Sequence, residues 1–504
     1  MKIYKLYIVF TLLFLQNDLL KAQNVIIKQT DVFKSGKFND QKINKLLGNV
    51  ILQQKDITLY CDSAYQYVKN NNKLETFGRV KLVKSDTVTL TCDKLTYEGS
   101  LKLAKARNNV ILTDPQMKLY TDNLDFDLNS NQAYYVKGGK IINGDNTLTS
   151  EKGRYDTDLK MMHFKKDVHL LSPEREMFSD TMDYHTERKI VYFTGPTKII
   201  SESGTVYTES GQYDTQAKLS NLNARNRLEN EEYIMEANEM IFSQNGNSGK
   251  AWGDVFLYSK EENIILTGDI MLFGGESGRS KLWGNTLMLY PMEEDTLYMR
   301  ADTLISETVD STEDKKILGY RNVKIYKTDM QGKCDSMVYN SADSMITFFN
   351  DPVIWAEKNQ MTADTISIQM ANGAIDKVFM DINAFIISQD TIGNFNQVKG
   401  RHVVAQFDSV FIRQIVIDGN GESIYFALKE EDLSVIGMNR VLCSNMTLDF
   451  ADKELQFIHF YVEPDAKFIP PQELLDPEKR LRGFIWRQSE KPSRESVIYY
   501  EKNN

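Results

Sequence analysis

The sequence predicts an all-β protein: an elongated antiparallel β-jellyroll, a trough of stacked bent strands built from repeats of about 30 residues. Three observations predict it. Short alternating Val-x-Leu or Val-x-Ile strands recur at a fixed spacing, an acidic residue recurs roughly ten residues after each, and helical periodicity of useful length is absent. Self-similarity of this kind marks a one-dimensional stack in which each unit packs on its neighbours.

The first submotif runs Gly48-Asn49-Val50-Ile51-Leu52, Gly78-Arg79-Val80-Lys81-Leu82 and Asn109-Val110-Ile111-Leu112. It returns at Val168-His169-Leu170, Val255-Phe256-Leu257, Val323-Lys324-Ile325 and Val353-Ile354-Trp355. In the second, an apolar and then a small residue precede Asp, with an apolar and an aromatic residue after it. Leu90-Thr91-Cys92-Asp93-Lys94-Leu95-Thr96-Tyr97 and Leu119-Tyr120-Thr121-Asp122-Asn123-Leu124-Asp125-Phe126 are the clearest copies. The acidic positions 62, 93, 122, 151, 180 and 209 lie 31, 29, 29, 29 and 29 residues apart, and the series resumes at Asp302, Asp335 and Asp364 after a blurred stretch. An early copy stands at Asp31.

Phase gives the local structure. Alternation places Val and Leu of the first submotif on one face of a strand. In the second, Leu90 and Cys92 share one parity and Leu95 and Tyr97 the other, which requires a bulge or corner at Asp93-Lys94. Each unit therefore reads as two extended passes, each bent near its middle. Asn-rich clusters mark the turns at Lys69–Asn72, Asn129–Asn131, Asn143–Asn146 and Gln244–Asn247. Two facing sheets would bury their apolar inner faces about 10 Å apart. Splayed at one edge, those faces become a continuous apolar trough, which calls for an apolar occupant. A closed sandwich with a structural core satisfies the same periodicity.

The repeated Gly-x-Val-x-Leu and Leu-Thr-Cys-Asp-x-Leu-x-Tyr patterns resemble the OstA-like family, which includes the lipopolysaccharide-transport protein LptA and the N-terminal periplasmic domain of LptD. The units at Gly48–Tyr67 and Gly78–Tyr97 carry the best match within residues ~25–300, and weaker units extend to about 450. The resemblance implies a twisted jellyroll open along one side, whose interior shields the acyl chains of lipopolysaccharide (lipid A). It also implies end-to-end strand stacking on other jellyrolls of a transport system or on an outer-membrane barrel. The chain is longer than single-domain members and too short for a jellyroll plus the barrel of LptD. The expected function is a non-enzymatic periplasmic lipid-binding protein; the alternative is a secreted β-solenoid enzyme or adhesin acting on polysaccharide. Such an enzyme needs one unit with a clustered Asp/Arg/Lys set, and none stands out.

The expected lipid face is the most regular inward set: Val50, Leu52, Leu59, Val80, Leu82, Leu90, Val110, Leu112 and Leu119. For each of them, cover by the opposite sheet is the competing reading. No catalytic residue, cofactor or metal is expected. Cys61, Cys92, Cys334 and Cys443 lack CxxC spacing, and the first three occupy the slot just before the Asp, where Thr121 and Ser150 also stand. That slot calls for a small, weakly polar side chain, although a Cys61–Cys92 disulfide is geometrically allowed. The acidic ladder supplies one oxygen ligand group per unit, whereas calcium repeats need several, so a structural role at the corners is expected. Five scattered histidines complete no ligand set, and no GxSxG, HExxH or P-loop occurs.

At the N-terminus, Lys2 and Lys5 precede the apolar run Leu6–Leu15, and Leu20-Lys21-Ala22 offers a cleavage site, so residues 1–22 are expected to be a cleaved export signal. The run is about half a bilayer span. Residues 23–305 are expected to hold the regular OstA-like repeats, 306–465 less regular ones and 466–504 a C-terminal tail with the basic-aromatic segment Arg480–Arg487. That segment suits a membrane or partner contact, or a clasp over the last strand. With a formal charge of −10 and pI ≈ 5.3, the chain is a poor match for nucleic acid, whose binding rests on neutralising phosphates.

Overall fold

The computed structural model describes residues 24–38, 41–67, 73–85, 87–243, 248–274, 279–292, 295–308, 314–371, 374–408, 411–429, 431–451 and 454–499. The export signal at 1–22 and the turns at Lys69–Asn72 and Gln244–Asn247 lie outside them. The chain divides into two compact units, Met1–Ala224 and Arg225–Asn504. In both, successive antiparallel strands form the fold, as the alternation requires.

One bent strand shows how each pass is made. Gln41–Gln54 pairs with Ile57–Tyr67 twice, Ile43–Leu47 with Ser63–Tyr67 and Val50–Gln54 with Ile57–Cys61, and the register shifts between the halves. At the shift Gly48 (φ +76°) and Asn49 (φ +43°) are both left-handed. The same two-residue bend recurs at Gly78–Arg79, Asn108–Asn109 and Lys166–Asp167 in the first unit. In the second it recurs at Gly253–Asp254, Gly284–Asn285, Arg321–Asn322, Asn350–Asp351 and Ile382–Asn383. Each pass thus contributes to two arms: arm A follows the bend of the Val-x-Leu strand, and arm B precedes it.

The acidic ladder holds these bends. Asn49 Nδ2 donates to Asp31 at 2.9 Å, Arg79 grips Asp62 at 2.7 Å, and Asn109 Nδ2 donates to Asp93 at 2.7 Å. In the second unit Asn285 donates to Asp269 at 2.9 Å, Asn322 to Asp302 at 2.9 Å and Asn383 to Asp364 at 3.1 Å. The backbone joins in: Asp31 N–H donates to Gly48 O and Asp364 N–H to Ile382 O. Left-handed residues cost energy unless their surroundings over-determine them, and here the facing acid does so. The blurred stretch of the ladder is filled by Asn238 and Asp269. At Asn238 the pair is reversed, the amide donating to Asp254 at 3.0 Å.

The slot before each acid spans the corner. Cys92 Sγ donates to Lys94 O at 3.2 Å, Ser150 Oγ to Lys152 O at 3.0 Å, Ser179 Oγ to Thr181 O at 2.8 Å and Thr208 Oγ1 to Ser210 O at 2.9 Å. A small side chain with one donor is what this geometry accepts. All four cysteines are free thiols. Burial pushes the Cys61 thiol up to about 12, Cys92 to about 11 and Cys334 to about 12, so all three stay protonated and inert at neutral pH.

The tail packs on its own chain. Gln331, Trp355, Gln360, Ile387 and Gln397 form one row across the outer face of arm A in the second unit. The tail runs along this row against chain order. Gln397 accepts from Leu481 N–H at 2.8 Å and donates to Lys479 O at 2.8 Å; Gln360 accepts from Arg487 N–H at 2.7 Å and donates to Ile485 O at 2.8 Å. Leu481, Phe484 and Trp486 pack with Phe385, Ile387, Ile424 and Met438. Farther on, the short helix Arg494–Ile498 seats Val497 on Leu287 and Tyr298. The basic-aromatic segment is thus spent on the outer face of its own unit, and Arg487 pairs with Asp351 at 2.7 Å and Glu490 at 2.8 Å.

Two predictions follow from these contacts. A Cβ at Gly78 meets the Asp62 carboxylate at 2.5 Å, whereas one at Gly36 meets nothing within 4 Å. Gly78→Ala should therefore lower unfolding free energy in urea by about 1–3 kcal/mol, the cost of a strained backbone with a lost partner, and Gly36→Ala should leave it nearly unchanged. Arg487 and Lys333 hold the Glu490 carboxyl down at about 2, from an ordinary 4.5. The contribution of a depressed carboxyl is present above its unfolded value and fades as pH falls towards its folded one. The stability gap between wild type and Glu490→Gln should accordingly be present at neutral pH and close between about 4.5 and 2.

Candidate apolar site

The nine expected lipid-face residues lie together on the inner face of arm A. Leu52, Leu59, Leu82, Leu90, Leu112 and Leu119 are consecutive cross-strand partners in one ladder. The ladder continues through Ile141, Leu148, Leu170 and Met177 to Ile199 and Val206. Val50, Val80 and Val110 sit one row nearer the bend, and each of the nine is 3% exposed or less. Arm B presents a matching inner row, Leu46, Ala64, Thr76, Leu95, Ala106 and Leu124, every one of them fully covered. Small residues on one arm admit leucines from the other, and the first unit closes into a packed core.

The second unit has an arm A ladder of its own, with different side chains. Leu257, Leu266, Met288, Met299, Ile325 and Gly332 are successive partners on arm A. Leu257 and Leu266 are only half-buried, and a Cβ at Gly332 would meet no atom closer than 3.7 Å. Across from them, Met271, Leu282, Leu304, Met337 and Ile368 line arm B. Between the arms lies a cavity of about 1700 Å³, beyond the ~300–1,000 Å³ of ordinary small-molecule sites. Its walls carry Met271, Met288, Met292, Met299, Met330, Met337 and Met370. Methionine is unbranched and polarizable, so such a wall adapts to an irregular apolar occupant.

The cavity's charged residues are mixed. Lys315 bonds Glu262, and Lys327 pairs with Asp329 at 2.7 Å; Glu232, Glu261 and Asp295 add further negative charge. Burial is the largest influence on Lys315 and lowers its pKa, but the Glu262 hydrogen bond and the charges of Glu262, Glu261 and Glu232 together outweigh it and the net shift is upward. Lys315 and Lys327 already have carboxylate partners and Lys281 lies over the Trp283 ring at 5.2 Å, so the arrangement offers hydrocarbon contact with little pull on an anion. The histidines are dispersed: His163, His169, His402 and His459 each contact one carboxylate, and His185 Nδ1 accepts from Arg188 N–H at 3.2 Å. Among the described residues no group of three metal-ligating side chains occurs, and no helix is long and apolar enough to cross a membrane.

Residues 22–180 and 174–238 match the sequence profile of the OstA-like proteins. Residues 22–238 are OstA-like. No curated protein matches the chain. Among solved structures it is similar to LptH of Pseudomonas aeruginosa, described as the LptA homologous periplasmic component of the lipopolysaccharide transport device. That similarity has 13% identity and a TM-score of 0.16, covering 30% of this chain and 94% of the other. The OstA-like stretch coincides closely with the first unit, and all of the cavity's lining except Glu232 and Tyr233 lies beyond it, in repeats that keep the bend and change the interior.

The sequence reading missed the cavity residues because Met and Ile count as core formers in any alternating pattern. The signal was the difference between the units' inward rows, leucine in the first and methionine in the second. Leu82 (0% exposed) and Leu266 occupy corresponding rows with different surroundings. Leu82→Ala should cost about 2–5 kcal/mol in denaturant unfolding, and Leu266→Ala roughly 1 kcal/mol less, since it opens no new void.

Proposed function

We propose that this protein is a periplasmic lipid carrier of the lipopolysaccharide-transport kind, which shelters acyl chains in the cavity of its second unit. The observation that carries this reading is the methionine-rich cavity of about 1700 Å³ between the arms of a unit that repeats the bends of the OstA-like stretch preceding it in the chain. Each CH₂ moved from water into such a space is worth about 0.8 kcal/mol, so a chain of roughly twelve carbons gains on the order of 10 kcal/mol before binding costs. The phosphorylated head group stays at the cavity mouth, where paired lysines and acids neither hold nor strongly repel it. Partners of the same architecture would add strands to the exposed N-terminal edge, where Val32–Phe38 lies open to solvent along its length.

The test is lipid uptake by the full exported chain. Purified protein should bind lipid A in a native mass-spectrometric titration, and Met288→Trp, which fills the cavity, should weaken binding at least tenfold with the circular dichroism spectrum unchanged. Failure of wild type to bind any acylated lipid, or undiminished binding by a folded Met288→Trp variant, would overturn the reading.

A further inference from the structure

The mouths of the two units differ. In the first unit, polar side chains cross from the tip of arm A to the tip of arm B, remote from the bends. Gln54 donates to Gly99 O at 3.0 Å and accepts the Tyr97 hydroxyl hydrogen bond. One repeat on, Lys84 donates to Leu128 O at 2.8 Å and to Asn131. One more repeat on, Asp114 accepts from Tyr155 and lies 3.9 Å from Lys160. Two repeats farther, Arg175 stacks 4.0 Å from the Tyr213 ring centroid and reaches Ser220 at 3.5 Å. These four bridges follow the repeat: positions 54, 84 and 114 are 30 residues apart. Gln54, Tyr97, Asp114, Tyr155, Arg175 and Tyr213 are each 5% exposed or less, beside the leucine ladder.

The second unit lacks this arrangement where its cavity lies. Lys327 follows Val323-x-Ile325 as Lys84 follows Val80-x-Leu82, yet it pairs with Asp329 of its own hairpin at 2.7 Å. At Ser259 and Tyr290, other arm A tips, the chain is half-buried or exposed. Only Lys315 with Glu262 spans arms there among the described contacts.

We propose that the four bridges are a latch, and that the first unit is a second hydrocarbon compartment whose leucine ladder meets an acyl chain only when they part. This rests on the lipid-carrier reading. An apolar core needs no buried charge at its edge, and each bridge removed from water is worth little net unless fully satisfied. A polar seam between two apolar arms is where such a sandwich separates at least cost, because water re-satisfies the groups on opening. Valines and leucines stay covered while the seam is shut.

The experiment uses full-length protein and a diazirine-bearing palmitate, with crosslinked peptides mapped by mass spectrometry. Lys84→Met removes one bridge and Tyr155→Phe reduces another to the 3.9 Å Lys160 contact, mildly, since Asp114 keeps the amides of Gln116 and Met117 at 2.8 and 2.9 Å. Wild type should label between residues 257 and 375 and hardly at all between 50 and 170. The double variant, with unchanged circular dichroism, should gain at least fivefold labelling on peptides containing Leu82, Leu112 and Leu119. Equal labelling of both regions in wild type, or no gain in the folded variant, would overturn the latch. Loss of the 257–375 signal alone would instead overturn the cavity reading. If the double variant misfolds, Tyr155→Phe alone should gain at least twofold, and no gain counts against the latch.

Discussion

The bend capped by an acid is the constraint on which the rest depends. Two consecutive left-handed residues turn most of the Val-x-Leu strands from arm B to arm A, and a neighbouring carboxylate or amide holds them, as Asp62 does Arg79. Without that corner the alternation would give a single flat sheet with one face in water. With it, each bent pass supplies inner side chains to both arms, whether as one long strand or as two short ones, and repetition aligns them into rows. The row before the acid, Cys, Ser or Thr, ties the same corner from inside by a hydrogen bond to the carbonyl two residues on.

The scaffold fixes where side chains point and leaves their size free. In the first unit leucine faces alanine and the arms close; in the second, methionine, isoleucine and Gly332 leave space between arms built on the same bends. One backbone plan thus serves for a packed interior and for an accommodating one. The difference lies in volume and in what crosses the mouth. Polar bridges at the tips of the first unit and self-paired lysine in the second are two ways of ending an apolar arm at water.

The tail shows how the outer face is treated. A row with Trp355, Ile387 and Ile424 would leave a large apolar patch exposed, which soluble proteins avoid. Residues 479–498 cover it, and buried glutamines Gln360 and Gln397 satisfy the crossing backbone. Such a strap cannot be read from alternation, because its partners lie 82 to 198 residues away in the chain.

The all-β class, the repeat, the corner at the acid and the identity of the inward row were determined by the sequence itself. Each is a matter of spacing and parity, and parity is set by the strand's two-residue period. Val50, Leu82 and Leu112 needed only their neighbours to be placed on one face. The reversed pair Asn238–Asp254 escaped notice, since an amide in the acid's slot breaks the chemical pattern and not the geometric one. What the tertiary structure alone decided was whether the facing arms touch. That depends on the sum of side-chain volumes contributed by strands far apart in sequence, which no local period encodes. It also depends on contacts across the mouth, such as Lys84 with Leu128, between segments that only folding brings together.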